Sequence, residues 1–89
     1  PSWKLDLGGH YIIDTIQLYG VYKQSFPVFV WISGSEAGGF IKVGEFKRSQ
    51  ENLVVDVSGL DARYIVVSSA RSTKLILREV EVYGSPSED

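Results

Sequence analysis

The feature that most constrains this chain is the rhythm of its apolar residues. They alternate with polar ones over short stretches, and turn-forming residues bound most of those stretches. No segment sustains the spacing of about three to four residues that an amphipathic helix needs. Residues 3–7, 11–19, 28–33, 40–46, 53–57, 64–69 and 75–83 are all rich in Val, Ile, Leu, Tyr and Phe. Short strands at this regular spacing predict an all-β fold, an antiparallel sandwich or barrel. In Trp3-Lys4-Leu5-Asp6-Leu7 and in Leu53-Val54-Val55-Asp56-Val57 every odd-numbered residue is apolar, so one face of each strand turns toward a core. Tyr64-Ile65-Val66-Val67 is apolar on both faces, which places it near the centre of a sheet. The alternation slips within Ile13-Asp14-Thr15-Ile16 and again at Arg78-Glu79, and each slip predicts a β-bulge or kink. Trp3, Leu5, Leu18, Ile65, Val67 and Val80 are expected to be largely buried.

The turn residues order these strands. Gly8-Gly9 predicts a tight connection, residues 34–39 a longer glycine-rich loop, and Ser58-Gly59-Leu60-Asp61 a short reversal. If each strand runs opposite to the one before, alternate loops gather at opposite ends. One end then holds residues 8–10, 34–39 and 58–62, and the other holds 20–27, 47–52 and 70–74. The second end is chemically distinctive. It collects Lys23, Lys47, Arg48, Arg71 and Lys74 with the aromatics Tyr22 and Phe26, and only Glu51 opposes the positive charge. A basic, aromatic-bearing end suits a hydroxylated or anionic ligand, although loop Lys and Arg also serve solubility alone.

Composition narrows the function classes. At 89 residues, 44% hydrophobic and 22% charged, the chain reads as one globular domain. A net charge of -2 gives no global pull toward nucleic acid. The absence of cysteine excludes a disulfide framework, a thiolate zinc site and a thiol nucleophile. No glycine cluster has phosphate-loop spacing, and no apolar run reaches the length of a membrane helix. One histidine, and loop ends to which the topology brings no carboxylate pair, argue against an enzyme. The chain begins at Pro1 and contains no Met, so it is read as processed or cut from a longer protein. The domain is expected over residues 1–84, with 85–89 as a polar tail or linker.

Three segments carry a family resemblance. Trp3-Lys4-Leu5-Asp6-Leu7-Gly8 leads into Tyr11-Ile12-Ile13-Asp14-Thr15-Ile16-Gln17-Leu18-Tyr19-Gly20; then comes Ala62-Arg63-Tyr64-Ile65-Val66-Val67; the last is Leu75-Ile76-Leu77-Arg78-Glu79-Val80-Glu81-Val82-Tyr83-Gly84. In order and spacing these resemble the framework of discoidin-type domains, a group that includes coagulation-factor C-type domains, bacterial carbohydrate-binding modules and F-type lectins. The resemblance implies a galactose-binding-domain-like jelly roll whose ligand loops follow Tyr19. It also implies a domain usually preceded by further sequence, so that an upstream segment or a partner chain would complete the sandwich. Two departures bear on the ligand. The loop after Tyr19 has neither the arginine-rich run nor the cysteine pair of the F-type fucose signature, and His10 falls at the opposite end. Of the family's calcium positions only Glu79 is matched, and one carboxylate is far short of the six to eight oxygens that calcium takes. A sheet carboxylate paired with Arg63 or Arg78 is the plainer reading of Glu79.

The leading functional expectation is a non-catalytic, lectin-like glycan-binding domain. Arg71 would act as hydrogen-bond donor and Tyr22 or Phe26 as the packing face, with Lys23, Arg48 and Lys74 around them. The glycan would be fucose-like, galactose-like or acidic, and calcium would be the one conceivable cofactor, at Glu79. The rival classes are a protein- or membrane-adhesion module and a structural appendage of a larger protein. An extracellular or cell-surface setting fits all three.

Overall fold

Two strands of 18 residues dominate the fold. The computed structural model describes residues 2–71 and 75–87, and in it these strands are β1 (Ser2–Tyr19) and β4 (Asn52–Ser69). Three shorter strands complete the sheet: β2 (Val28–Ser33), β3 (Ile41–Phe46) and β5 (Glu79–Pro86). All pairings are antiparallel, in the order β3-β2-β4-β1-β5.

A straight strand of that length would span about 60 Å, yet the longest dimension of the molecule is 41 Å. Both long strands therefore bend. The β1–β4 register shifts between Asp6 and Tyr11, and again between Ile13 and Thr15. Gly8, Ser58 and Gly59 take positive φ angles of 81°, 62° and 80° at these bulges. Glycine enters that region freely, which is why glycine-bearing pairs mark both sites. The seven expected strands are thus five. Residues 3–7 and 11–19 are two arms of β1, and 53–57 and 64–69 are two arms of β4. The same residue types serve a tight turn or a bulge, and here extra residues re-aim each strand without ending it.

Bending folds the sheet into two layers. β2 pairs with β4 only over 64–69, and β5 pairs with β1 only over 11–19. One layer is β3, β2, the second arm of β4 and the first arm of β1; the other is the first arm of β4, the second arm of β1 and β5. The layers meet face to face. A Cβ on Gly44 of β3 would lie 3.0 Å from Val55 Cγ2 in the first arm of β4, a strand that is not its sheet neighbour. Ile13, Ile16, Leu18, Ile32, Leu53 and Ile65 fill the space between them and are essentially inaccessible. The fold is an antiparallel β-sandwich of the jelly-roll type, as the alternation predicts. The second arm of β4 runs between β2 and β1, the central place expected for a segment apolar on both faces.

Three details differ from expectation. Leu18, Ile65 and Val67 are buried, but Trp3, Leu5 and Val80 are only partly covered, because one side of the sandwich is open. The slip at Ile13–Thr15 is a bulge, whereas that at Arg78–Glu79 is the entry into β5. β5 also continues through Ser85 and Pro86, which pair with Ile12 and Tyr11, so the stretch read as a tail starts inside a strand.

The first bulge is pinned by charge. Arg63 Nε and Nη2 donate to the two oxygens of Asp6 at 2.9 and 3.2 Å, and the Gly8 amide donates to Asp6 Oδ1 at 2.8 Å. The Arg63 hydrogen bonds, followed by that from Gly8, hold the Asp6 carboxyl down at about 2 against an ordinary 3.8. A folded-state value below the unfolded one means that the contribution is complete above pH of about 4 and is lost as pH falls toward 2. Asp6→Asn should therefore lower stability at neutral pH and lose less than the wild type between pH 5 and pH 2.5. Urea midpoints at the two pH values check this, and parallel curves for both proteins would contradict it.

Candidate functional site

Three loops converge where the ends of both long strands meet. The loop 20–27 leaves β1, forms a 3-10 turn at Lys23–Ser25, and enters β2. The Gly20 amide donates to the Glu51 carbonyl at 3.0 Å, tying it to the loop before β4. The Tyr22 amide donates to the Ile76 carbonyl at 2.8 Å, and the Ala70 amide to the Pro27 carbonyl at 3.1 Å, tying it to the loop after β4. Ser25 is the fully buried junction. Its amide donates to the Tyr22 carbonyl, its hydroxyl accepts from the Ile76 amide at 3.1 Å, and its carbonyl accepts the Ser69 hydroxyl. Val21 and Phe26 anchor the same loop in the core. Such a loop arrives at a ligand already ordered, which removes part of the entropic cost of binding.

Over their described residues the loops expected at one end, 20–27, 47–52 and 70–71, are therefore together, although two of the assumed reversals are bends. A bend and a turn redirect the chain alike, so the ends were assigned correctly.

Individual residues divide. Tyr22 is 47% exposed at the rim, beside Ile76 at 45%. Lys23 lies in the exposed 3-10 turn, and Arg48 is exposed in the loop before β4. Arg71 is exposed, and its Nε donates to the Phe26 carbonyl at 2.9 Å. That bond fixes the guanidinium against the loop, and among the described residues its terminal amino groups take no partner. Phe26 corrects the expectation of a packing face: at 4% exposure it belongs to the core and supplies only its carbonyl. Lys74 lies outside the described residues. Lys47 is drawn 3.5 Å from Glu45.

Two rim residues escaped sequence reasoning. Arg78 was read as part of a strand, but β5 begins one residue later. Its amide donates to the Tyr19 carbonyl at 2.8 Å, and a Cβ on Gly20 would meet Arg78 Cβ at 2.8 Å and Cζ at 3.5 Å. The guanidinium thus lies over Gly20, which stands at φ 64°. Ile76 was likewise assigned to a strand. Its exposure beside Tyr22 has no local signal, because the pairing that exposes it is between distant loops.

Glu79 opens β5, exposed and opposite Tyr19. Among the described residues it forms an ion pair with neither Arg63, which holds Asp6, nor Arg78. Two residues along, Glu81 Oε1 accepts the Tyr83 hydroxyl at 2.6 Å and the Tyr19 hydroxyl at 2.8 Å. The Glu81 carboxylate pushes the Tyr19 phenol up to about 12 and is itself lowered by the two hydroxyls, Tyr83 first. Among the described residues no group of three or more His, Cys, Asp or Glu side chains converges on a point. His10 sits at the far end, 3.6 Å from Asp61 and close to Gly34.

The geometry has close counterparts among solved structures. A fucose binding module of Streptococcus pneumoniae, SpX-3, matches 92% of this chain with a TM-score of 0.77 at 21% identity, and the match covers 64% of that chain. A second Streptococcus pneumoniae fucose binding module matches 92% of this chain, with a TM-score of 0.75 at 25% identity over 62% of its own length. The CpGH89CBM32-6 module of Clostridium perfringens matches 94%, with a TM-score of 0.76 at 17% identity over 68% of its length. The chain shares their fold. It spans about two thirds of the length of these neighbours. These neighbours are bacterial modules of the same jelly roll, and the likeness does not single out coagulation-factor C-type domains or F-type lectins. No family model and no curated protein matches the sequence.

Proposed function

We propose that this chain is a non-catalytic carbohydrate-binding domain that takes its sugar at the converging loops. One observation carries the reading: an exposed Tyr22 and Ile76 stand among Lys23, Arg48, Arg71 and Arg78 on loops cross-tied through Ser25. An aromatic face packs against sugar C–H groups while guanidinium groups donate to hydroxyls or carboxylates. The fucose binding modules of the same fold support a sugar as the ligand. The cationic rim favours an acidic glycan over a neutral fucose- or galactose-like one. Ligands of this class imply work outside the cell or on its surface.

The test is a glycan array carrying acidic, fucose-terminated and galactose-terminated glycans, followed by NMR titration of the best binder. Shifts should cluster on residues 20–24, 48, 71 and 76–78. Tyr22→Ala, which removes the packing face, and Arg48→Ala, which removes a charged donor, should each weaken binding about tenfold, whereas His10→Ala should not. Binding should also fall as salt rises, because exposed charges are screened over about 8 Å at physiological ionic strength. Shifts confined to residues 8–10 and 34–39, or no binding on the array, would overturn the reading.

A further inference from the structure

The layer made by the first arm of β4, the second arm of β1 and β5 has an outer face of unusual chemistry. Ile16 and Leu18 of β1, with Leu53 and Val55 of β4, point inward and are buried. Alternation therefore turns Thr15, Gln17 and Tyr19 outward. Their cross-strand partners share that face: Asp56 and Tyr83 flank Thr15, and Val54 and Glu81 flank Gln17. None of these side chains is buried.

One carboxylate holds two tyrosine rings on this face. The Tyr83 and Tyr19 hydroxyls donate to Glu81 Oε1 at 2.6 and 2.8 Å, and the Tyr19 hydroxyl also meets Gln17 Oε1. A ring tied at its hydroxyl loses little further freedom when a ligand packs on it. Tyr83 is 48% exposed, so its ring is open to sugar C–H groups. An ionised carboxylate accepts about four hydrogen bonds, so Glu81 has capacity beyond the two phenols for sugar hydroxyls. The charge here is opposite to that of the loops. Asp56, Glu79 and Glu81 lie on the face, and none of its outward positions is Lys, Arg or His. Such a surface repels an anionic sugar unit and accepts a neutral one.

The face also runs directly into the loops. Tyr19, flanked by Asn52 and Glu79, forms its last row. The amide of the next residue, Gly20, donates to the Glu51 carbonyl, and the Arg78 amide donates to the Tyr19 carbonyl at 2.8 Å. From Tyr19 to Thr15 the face is about 13 Å long, more than a single sugar ring covers. Building on the assignment of the loops as a sugar site, we propose that the site continues onto this face. The ligand is then an oligosaccharide, with an acidic unit at the loops and neutral hexose units along Tyr19, Gln17, Glu81 and Tyr83.

NMR titration of the chain tests the continuation. The probes are glucuronic acid and N-acetylneuraminic acid, each alone and each at the end of a trisaccharide whose other two units are galactose. A trisaccharide should bind about tenfold more tightly than its acidic unit alone, and only the trisaccharide should shift Gln17, Val54, Glu81 and Tyr83. Tyr83→Ala should erase that gain and leave the affinity for the acidic unit unchanged, and Glu81→Gln should erase part of it. A trisaccharide of glucuronic acid throughout should gain less than about threefold, because its inner carboxylates meet Asp56, Glu79 and Glu81. Equal affinity for acidic unit and trisaccharide, with shifts confined to the loops, would overturn the continuation and leave the loop assignment standing. Binding of the all-glucuronic trisaccharide as tightly as the galactose-bearing one would overturn the charge order. Shifts on the face alone, or no binding of any of these sugars, would instead remove the loop assignment on which the continuation is built.

Discussion

Gly84→Ala should destabilise the domain by about 3 kcal/mol, at the upper end of what overpacking costs. Gly84 pairs with Ile13 beside the β1 bulge, where the two backbones approach closely. A Cβ there would lie 2.1 Å from the Ile12 carbonyl oxygen and 3.0 Å from Ile13 Cα. Both are backbone atoms that hydrogen-bonded strands hold in place, so no side chain can swing aside to make room. The strain is relieved only by parting β5 from β1. In a domain this small, whose total stability is on the order of 5–15 kcal/mol, such a loss is a large fraction of the whole. Gly9→Ala is the control. That glycine has nothing within 4 Å of its would-be Cβ and no positive φ, so the change should be nearly neutral. Urea denaturation of the two variants checks the contrast, and equal midpoints would show that the close approach is absent.

Leu53→Ala should cost about 2–5 kcal/mol, while Val54→Ala next to it should cost less than about 0.5 kcal/mol. Leu53 is fully buried and pairs with Leu18, whereas Val54 is 60% exposed on the outer face opposite Gln17. The two residues differ little in hydrophobicity and sit one position apart, so the contrast reads the register of β4 directly. A one-residue slip would exchange their faces and reverse the order of the two effects. Thermal or urea unfolding of both variants settles which register the strand takes. The measurement also bears on the loop end, because the same register sets Asn52 opposite Tyr19 where the loops begin.

Much of this architecture was legible in the residues themselves, for a local reason. Side chains alternate across a strand, so the in-or-out pattern of residues 53–57 needs no knowledge of any partner. The all-β class, the buried face, the bulge at Ile13–Thr15 and the central place of residues 64–67 all follow from such short-range patterns. The grouping of loops at one end was readable too, since a bulge at Gly8 reverses the chain's course as a turn would. What the tertiary structure alone decided are matters of distant neighbours. Tyr22 and Phe26 are both aromatics in one loop, yet the packing of Ser25 under Ser69 and Ile76 sends one to solvent and the other to the core. Arg78 joins the rim only because β5 starts at Glu79, and Asp6 reaches Arg63 across 57 residues of sequence. The half-covered state of Trp3 and Val80 is likewise invisible in their apolar character, because burial depends on whether another strand lies against them.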